Sequence, residues 1–263
     1  MESMQITQLD YHTARALLEW QVEFGVDETM SENPVNRFEV KPEPKKTAPV
    51  AAPPKIEAGI APVADKVDGA ALARDVAMAA QDIGALKTAL EGFEACELKR
   101  GARNMVFADG TFGGRVMVIG EAPSRDEDRS GLPFTGDTGV LLDNMLKSIA
   151  LSRAETVYLT NVLPWRLPRG ADVSEADLAM MMPFVERHVA LAKPDILVLM
   201  GNVACQAVLG KRGITRLRGQ WGEAMGLPVI SMYHPEFLLN NPAKKREAWA
   251  DLLALKAKLG VTE

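Results

Sequence analysis

Between Arg115 and Leu259, short apolar runs alternate with amphipathic stretches, and this rhythm restricts the fold more than any other feature of the chain. Strands are expected near Arg115–Gly120, Thr156–Thr160, Asp195–Met200 and Pro228–Tyr233. Helices are expected near Thr138–Ala150, Ser174–Ala192, Asn202–Leu209 and Ala243–Leu259. Regular alternation predicts parallel pairing, because strands joined by a helical crossover run the same way. The expected class is therefore α/β: three layers, α/β/α, with a central four-stranded parallel sheet covered on both faces and preceded by helices.

Upstream of this core, Gly69–Glu91 spaces its apolar residues at threes and fours, with Asp82 as a cap or break. Leu17, Leu18, Trp20, Val22, Phe24 and Val26 suggest a further amphipathic helix, whereas Ser31–Asp68, with PEPKK and VAAPPK, has the composition of an extended linker. Three parts are expected: an N-terminal helix over 1–30, a Pro/Ala-rich linker over 31–68 and a catalytic domain over 69–263. The helix is a candidate for recruiting a protein partner. A length of 263 residues, 47% of them hydrophobic, is enough for one good core and a tail. No apolar run reaches the roughly 18 residues of a membrane span, and no leader pattern opens the chain, so a cytoplasmic monomer is expected. Cys96 and Cys205 are far apart and outside any CxxC, which disfavours a disulfide framework or a zinc site. The net charge of -5 argues against a protein that coats nucleic acid. Lys211, Arg212, Arg216, Arg218, Lys244, Lys245 and Arg246 nevertheless gather towards the C-terminal end, where they can meet phosphates.

Ligands of open α/β sheets bind at the carboxyl ends of the strands, so the polar residues there are the candidates for chemistry. The first strand opens into Gly120–Gly136, GEAPSRDEDRSGLPFTG. A phosphate cradle needs glycines that let amides approach an anion, and here Glu121, Asp126, Glu127 and Asp128 crowd the loop instead. With Phe134 beside it, the loop suits a flat neutral heterocycle. The second strand leads into Asn161, whose carboxamide can pair with the polar edge of a pyrimidine, and the fourth into His234-Pro235, whose imidazole can donate to an oxygen gaining charge.

GEAPSRDEDRSGLPFTGDTGVLLDNML, NVLPWR, DILVLMGNVACQAVLG, GITRLRGQW and YHPEFLLNNPAKKREAW resemble, in order, the motifs of the uracil-DNA glycosylase superfamily, most of all its family 4 bacterial and archaeal members. The resemblance covers about Cys96 to Leu259 and implies a glycosylase-like fold and removal of uracil from DNA. It implies that Gly120, Glu121, Phe134, Asn161 and His234 bind uracil, with Phe134 stacking on the base, Asn161 reading its edge and His234 stabilising O2. Leu238 and Leu239 would form a wedge filling the hole in the duplex, and Arg216, Arg218, Lys244 and Lys245 would bind phosphates. Glu121 and Glu127 are the candidates for handling water, with water held by backbone carbonyls as the rival. In family 1 enzymes an Asp follows the residue matching Glu121, and here that position is Ala122.

The chain departs from family 4 at the iron-sulfur ligands. Cys96 matches one of the four cysteines, but the other positions fall on Phe93, Trp165 and Met181. One thiolate cannot hold such a cluster, so no cofactor is expected. The alternative to an enzyme is a non-catalytic or weakly catalytic binder of uracil-containing or abasic DNA. A small-molecule α/β hydrolase is disfavoured by the absence of GxSxG.

Overall fold

The computed structural model describes residues 69–168 and 171–260, together with Arg15. The segments expected as the N-terminal helix and the linker thus lie outside the described residues, Arg15 excepted.

The first helices, α1 (Gly69–Ala79) and α2 (Ile83–Glu91), are separate, because Asp82 takes an extended backbone and its side chain accepts from the Ala85 amide. A single turn, α3 (Leu98–Gly101), and a short strand, β1 (Ala108–Gly110), lead into β2 (Val116–Gly120). The polar loop behind β2 contains a helix that periodicity did not reveal, α4 (Arg125–Ser130), followed by α5 (Gly136–Lys147). Next come β3 (Val157–Asn161), α6 (Glu175–Ala192), β4 (Ile196–Met200), α7 (Asn202–Leu209) and the turn α8 (Ile214–Leu217). A hairpin of β5 (Trp221–Ala224) and β6 (Leu227–Met232) precedes α9 (Pro235–Asn240), a 3-10 turn and α10 (Lys245–Leu259).

The described strands form one sheet in the order β1-β3-β2-β4-β6-β5. Its four central strands are parallel, as expected, and the two edge strands are antiparallel additions. β2, β3 and β4 are buried along their whole length, which is why β2 and β4 read as continuous apolar runs rather than alternating ones. β5 is exposed over most of its length, and its WGEA sequence carries little strand signal.

The connection through α5 carries the chain from β2 to β3, and the connection through α6 returns it across β2 to β4. With right-handed crossovers, two connections running in opposite directions lie on opposite faces of the sheet. The carboxyl ends of β2 and its neighbours therefore form a switch point, where a crevice opens between the helices. Phe93, Cys96, Trp165 and Met181 all belong to the buried core. Among the described helices, none is long and apolar enough to cross a membrane.

Candidate active site at the strand ends

Gly120 and Asn161 end adjacent parallel strands and are register partners. A methyl carbon built on Gly120 would lie 2.7 Å from Phe134 Cζ and would collide with Asn161 Oδ1. The aromatic ring and the carboxamide thus close over a strand end that only glycine leaves open. The Phe134 ring also stacks with the His234 imidazole, with centroids 5.5 Å apart and planes at 26°. Glycine, amide, benzyl ring and imidazole, drawn from separate parts of the chain, converge on one place. Two rings need about 7 Å between them to hold a third, twice the ordinary contact distance, so no flat ligand fits between Phe134 and His234 as they stand.

Asn161 is 5% exposed, and its Oδ1 is buried without a hydrogen-bond partner. Its Nδ2 faces Glu127 Oε1 at 3.4 Å. A carboxylate can only accept, so the amide must turn its NH2 towards Glu127 and its oxygen towards the ring and Gly120. A buried acceptor of this kind costs free energy until something donates to it.

Glu127 is itself buried, and both of its oxygens are engaged. Oε2 accepts from the Ser124 amide at 2.7 Å, and Oε1 accepts from the Phe134 amide at 2.5 Å. The Ser124 hydroxyl accepts in turn from the Glu127 amide at 3.3 Å, which completes a capping box at the start of α4. Glu127 holds the loop, the ring and the amide together rather than standing free beside them. Glu121 points to the neighbouring strand end, where its Oε1 accepts from the Val203 amide at 2.8 Å. That contact caps α7, whose N-cap residue Gly201 has no side chain, and a side chain at Gly201 would collide with the Glu121 carboxylate.

His234 is partly exposed at the N-terminus of α9, and its Nδ1 accepts from the Glu236 amide at 3.3 Å. With Nδ1 accepting, the proton of the neutral ring lies on Nε2, which is left as a donor.

The residues expected at phosphates divide into two sets. Arg216 and Lys245 are exposed. Lys244 pairs with Glu247 at 2.6 Å. Arg218 is turned inward, with Nε donating to Asp251 Oδ2 at 2.9 Å, Nη2 donating to the Glu247 carbonyl at 2.6 Å, and the guanidinium over the Tyr233 ring. The expected wedge divides in the same way, since Leu238 is 1% exposed and Leu239 38%. Leu238 is a core residue of α9, and Leu239 is its outward neighbour.

Sequence reasoning missed Ser124 and Arg153, and it placed Asp128 in the loop without its partners. The S-x-x-E signature of the capping box was legible at Ser124–Glu127. Asp128 accepts from the amides of Arg103 and Asn104 and from Arg166 Nε, so it pins α4 to two other segments, and no local pattern announces such contacts.

Comparison with known proteins bears on this site. A model of the Uracil DNA glycosylase superfamily matches residues 107–253, which include every residue of the convergence. A type-4 uracil-DNA glycosylase of Archaeoglobus fulgidus is 34% identical over 167 residues, 59% of this chain and 82% of that protein. Enzymes of the same name from Sulfurisphaera tokodaii and Thermotoga maritima are 32% and 33% identical, over 71% and 78% of their lengths and 56% of this chain in each case.

Proposed function

The chain belongs to the uracil-DNA glycosylase superfamily, and from that membership we propose that it is a hydrolase that removes uracil from DNA by cleaving the N-glycosidic bond, leaving an abasic site for base excision repair. The observation that carries this reading is the orphaned Asn161 Oδ1, a buried acceptor set against an aromatic ring over a strand-end glycine.

A base inside a duplex is out of reach, so the target is everted and stacked on Phe134. Uracil presents a donor at N3 and an acceptor at O4. Asn161 Oδ1 accepts from N3–H, and the second proton on Nδ2 serves O4. Cytosine has an acceptor at N3, and pairing with it would need a flipped amide whose oxygen would face the Glu127 carboxylate. As the glycosidic bond breaks, negative charge collects on the base, and the Nε2–H of His234 stabilises it at O2. The Glu121 and Glu127 carboxylates lower the cost of positive charge on the sugar. Neither is a free base, which suits a departing uracil anion that needs little push from water. Arg216, Lys245 and the outward Leu239 meet the DNA, while Arg218 and Leu238 support that surface from within. Residues 1–30, whose sequence has roughly the spacing of an amphipathic helix, are the candidate for recruiting a protein partner.

Within the superfamily, the proposed place is beside family 4 but without its iron-sulfur cluster. The residues do not fit that group, because Phe93, Trp165 and Met181 are apolar and packed, Phe93 against Phe184 with ring centroids 5.2 Å apart. Burial also pushes the Cys96 thiol up, away from the thiolate that a ligand must be.

The test is incubation of the protein with a uracil-containing oligonucleotide followed by alkali. Strand scission is expected, with Asn161→Ala and His234→Ala each cutting turnover by about 10²-fold or more and leaving the fold intact. A shifted but uncut band would replace the enzyme with a binder of damaged DNA, and near-normal activity in both variants would remove the site assignment.

A further inference from the structure

Phe134 has a left-handed backbone, φ 51°, which a bulky non-glycine residue keeps only when its surroundings hold it. Both of its peptide groups are gripped. The N–H donates to Glu127 Oε1, and the carbonyl accepts from Arg153 Nη2 at 3.1 Å. Gly139 makes room for that carbonyl, because a side chain there would collide with it.

Arg153 lies between α5 and β3 and is aimed by two carboxylates. Its Nη1 donates to Asp109 of β1 and its Nε to Asp143 of α5, both at 2.7 Å. Its own carbonyl is tied down too, accepting from the Thr111 hydroxyl at 3.2 Å. A guanidinium is planar, so once two of its edges are held the direction of the third nitrogen follows. That nitrogen points at Phe134.

We infer that Arg153 is a positioning residue for base recognition, which holds the Phe134 backbone in its left-handed turn and so places the ring over Gly120. The inference rests on the reading of Phe134 as the ring that stacks on uracil. Arg153 touches no reacting atom. It acts as the second half of a clamp whose first half is Glu127, and Asp109 and Asp143 set its aim. Lysine cannot replace it, because one ammonium cannot serve two carboxylates and a carbonyl along three fixed directions.

The test is a double-mutant cycle read as kcat/KM on a uracil-containing single-stranded oligonucleotide, with Arg153→Lys made in the natural chain and in a Phe134→Leu background. The expected result is a loss of about tenfold or more for Arg153→Lys alone and of less than about twofold in the Phe134→Leu background, where no stacking ring remains to be placed. Equal losses in both backgrounds, or no loss in either, would overturn the inference and leave Arg153 a structural tie. Phe134→Leu alone tests the underlying reading, and full activity in that variant would remove the stacking role whatever Arg153 does. Should Arg153→Lys fail to fold, Asp143→Asn keeps the arginine and loosens its aim. A fall of about threefold or more in kcat/KM supports the clamp, and unchanged kinetics overturn it.

Discussion

Asn161 can present either end of its amide to a ligand, and Glu127 makes the choice. The carboxylate takes the NH2 side, so the oxygen is left facing Phe134 and Gly120. In the proposed function, specificity is thus decided one residue behind Asn161, by a side chain whose oxygens are spent on backbone amides. Gly120 is the other half of the device, since it is the absence of a side chain there that admits the amide and the ring. Gly120→Ala is expected to push both aside and to lower kcat/KM by about 10²-fold, with a stability loss of about 1–3 kcal/mol for the overpacked strand end. Single-turnover kinetics and thermal unfolding of the variant check this, and natural kinetics would show that the two groups do not close over Gly120.

Among the elements, α6 is joined to the sheet by a buried polar contact as well as by apolar packing. His188 shares a 2.8 Å hydrogen bond with the Tyr158 hydroxyl of β3, and its ring stacks on Phe107 at 4.7 Å. Burial lowers its pKa from 6.5 to about 3, so the folded protein refuses a proton that the unfolded chain accepts. The group's contribution to stability is fully present above pH 6.5 and is lost as the pH falls towards about 3. The loss is up to about 1.4 kcal/mol per pH unit inside that window. Urea unfolding across this range is expected to show stability falling with acidity in the natural chain, and less steeply, by about one proton, in His188→Gln. Identical slopes would assign the acid sensitivity to other groups.

For the molecule as a whole, the domain closes its core with side chains where the resemblance would place a metal cluster. Phe93, Trp165 and Met181 are at most 3% exposed, and among the described residues no group of His, Cys, Asp or Glu is arranged to hold a metal ion. Purified protein is expected to lack iron and visible absorbance and to keep its unfolding temperature after prolonged treatment with a chelator. Stoichiometric iron, or a chelator-induced fall in that temperature, would restore a cluster. The α/β class, the order of the central strands' helices and the residues at the strand ends were all legible in the chain, because strand and helix periods are written within a few consecutive residues. Gly120, Asn161 and His234 could be named for the same reason, since each stands at the end of a strand-like run. The edge strand β5 was not legible, being short and mostly exposed. Nor could the chain reveal which charges were free: Arg218 is spent on Asp251, 33 residues away, and Glu127 serves Asn161, 34 residues away. Local pattern determined which elements form and what stands at their ends. Only the folded structure decided which of those groups face one another, because a hydrogen bond depends on distances across the fold, and separation along the chain does not measure them.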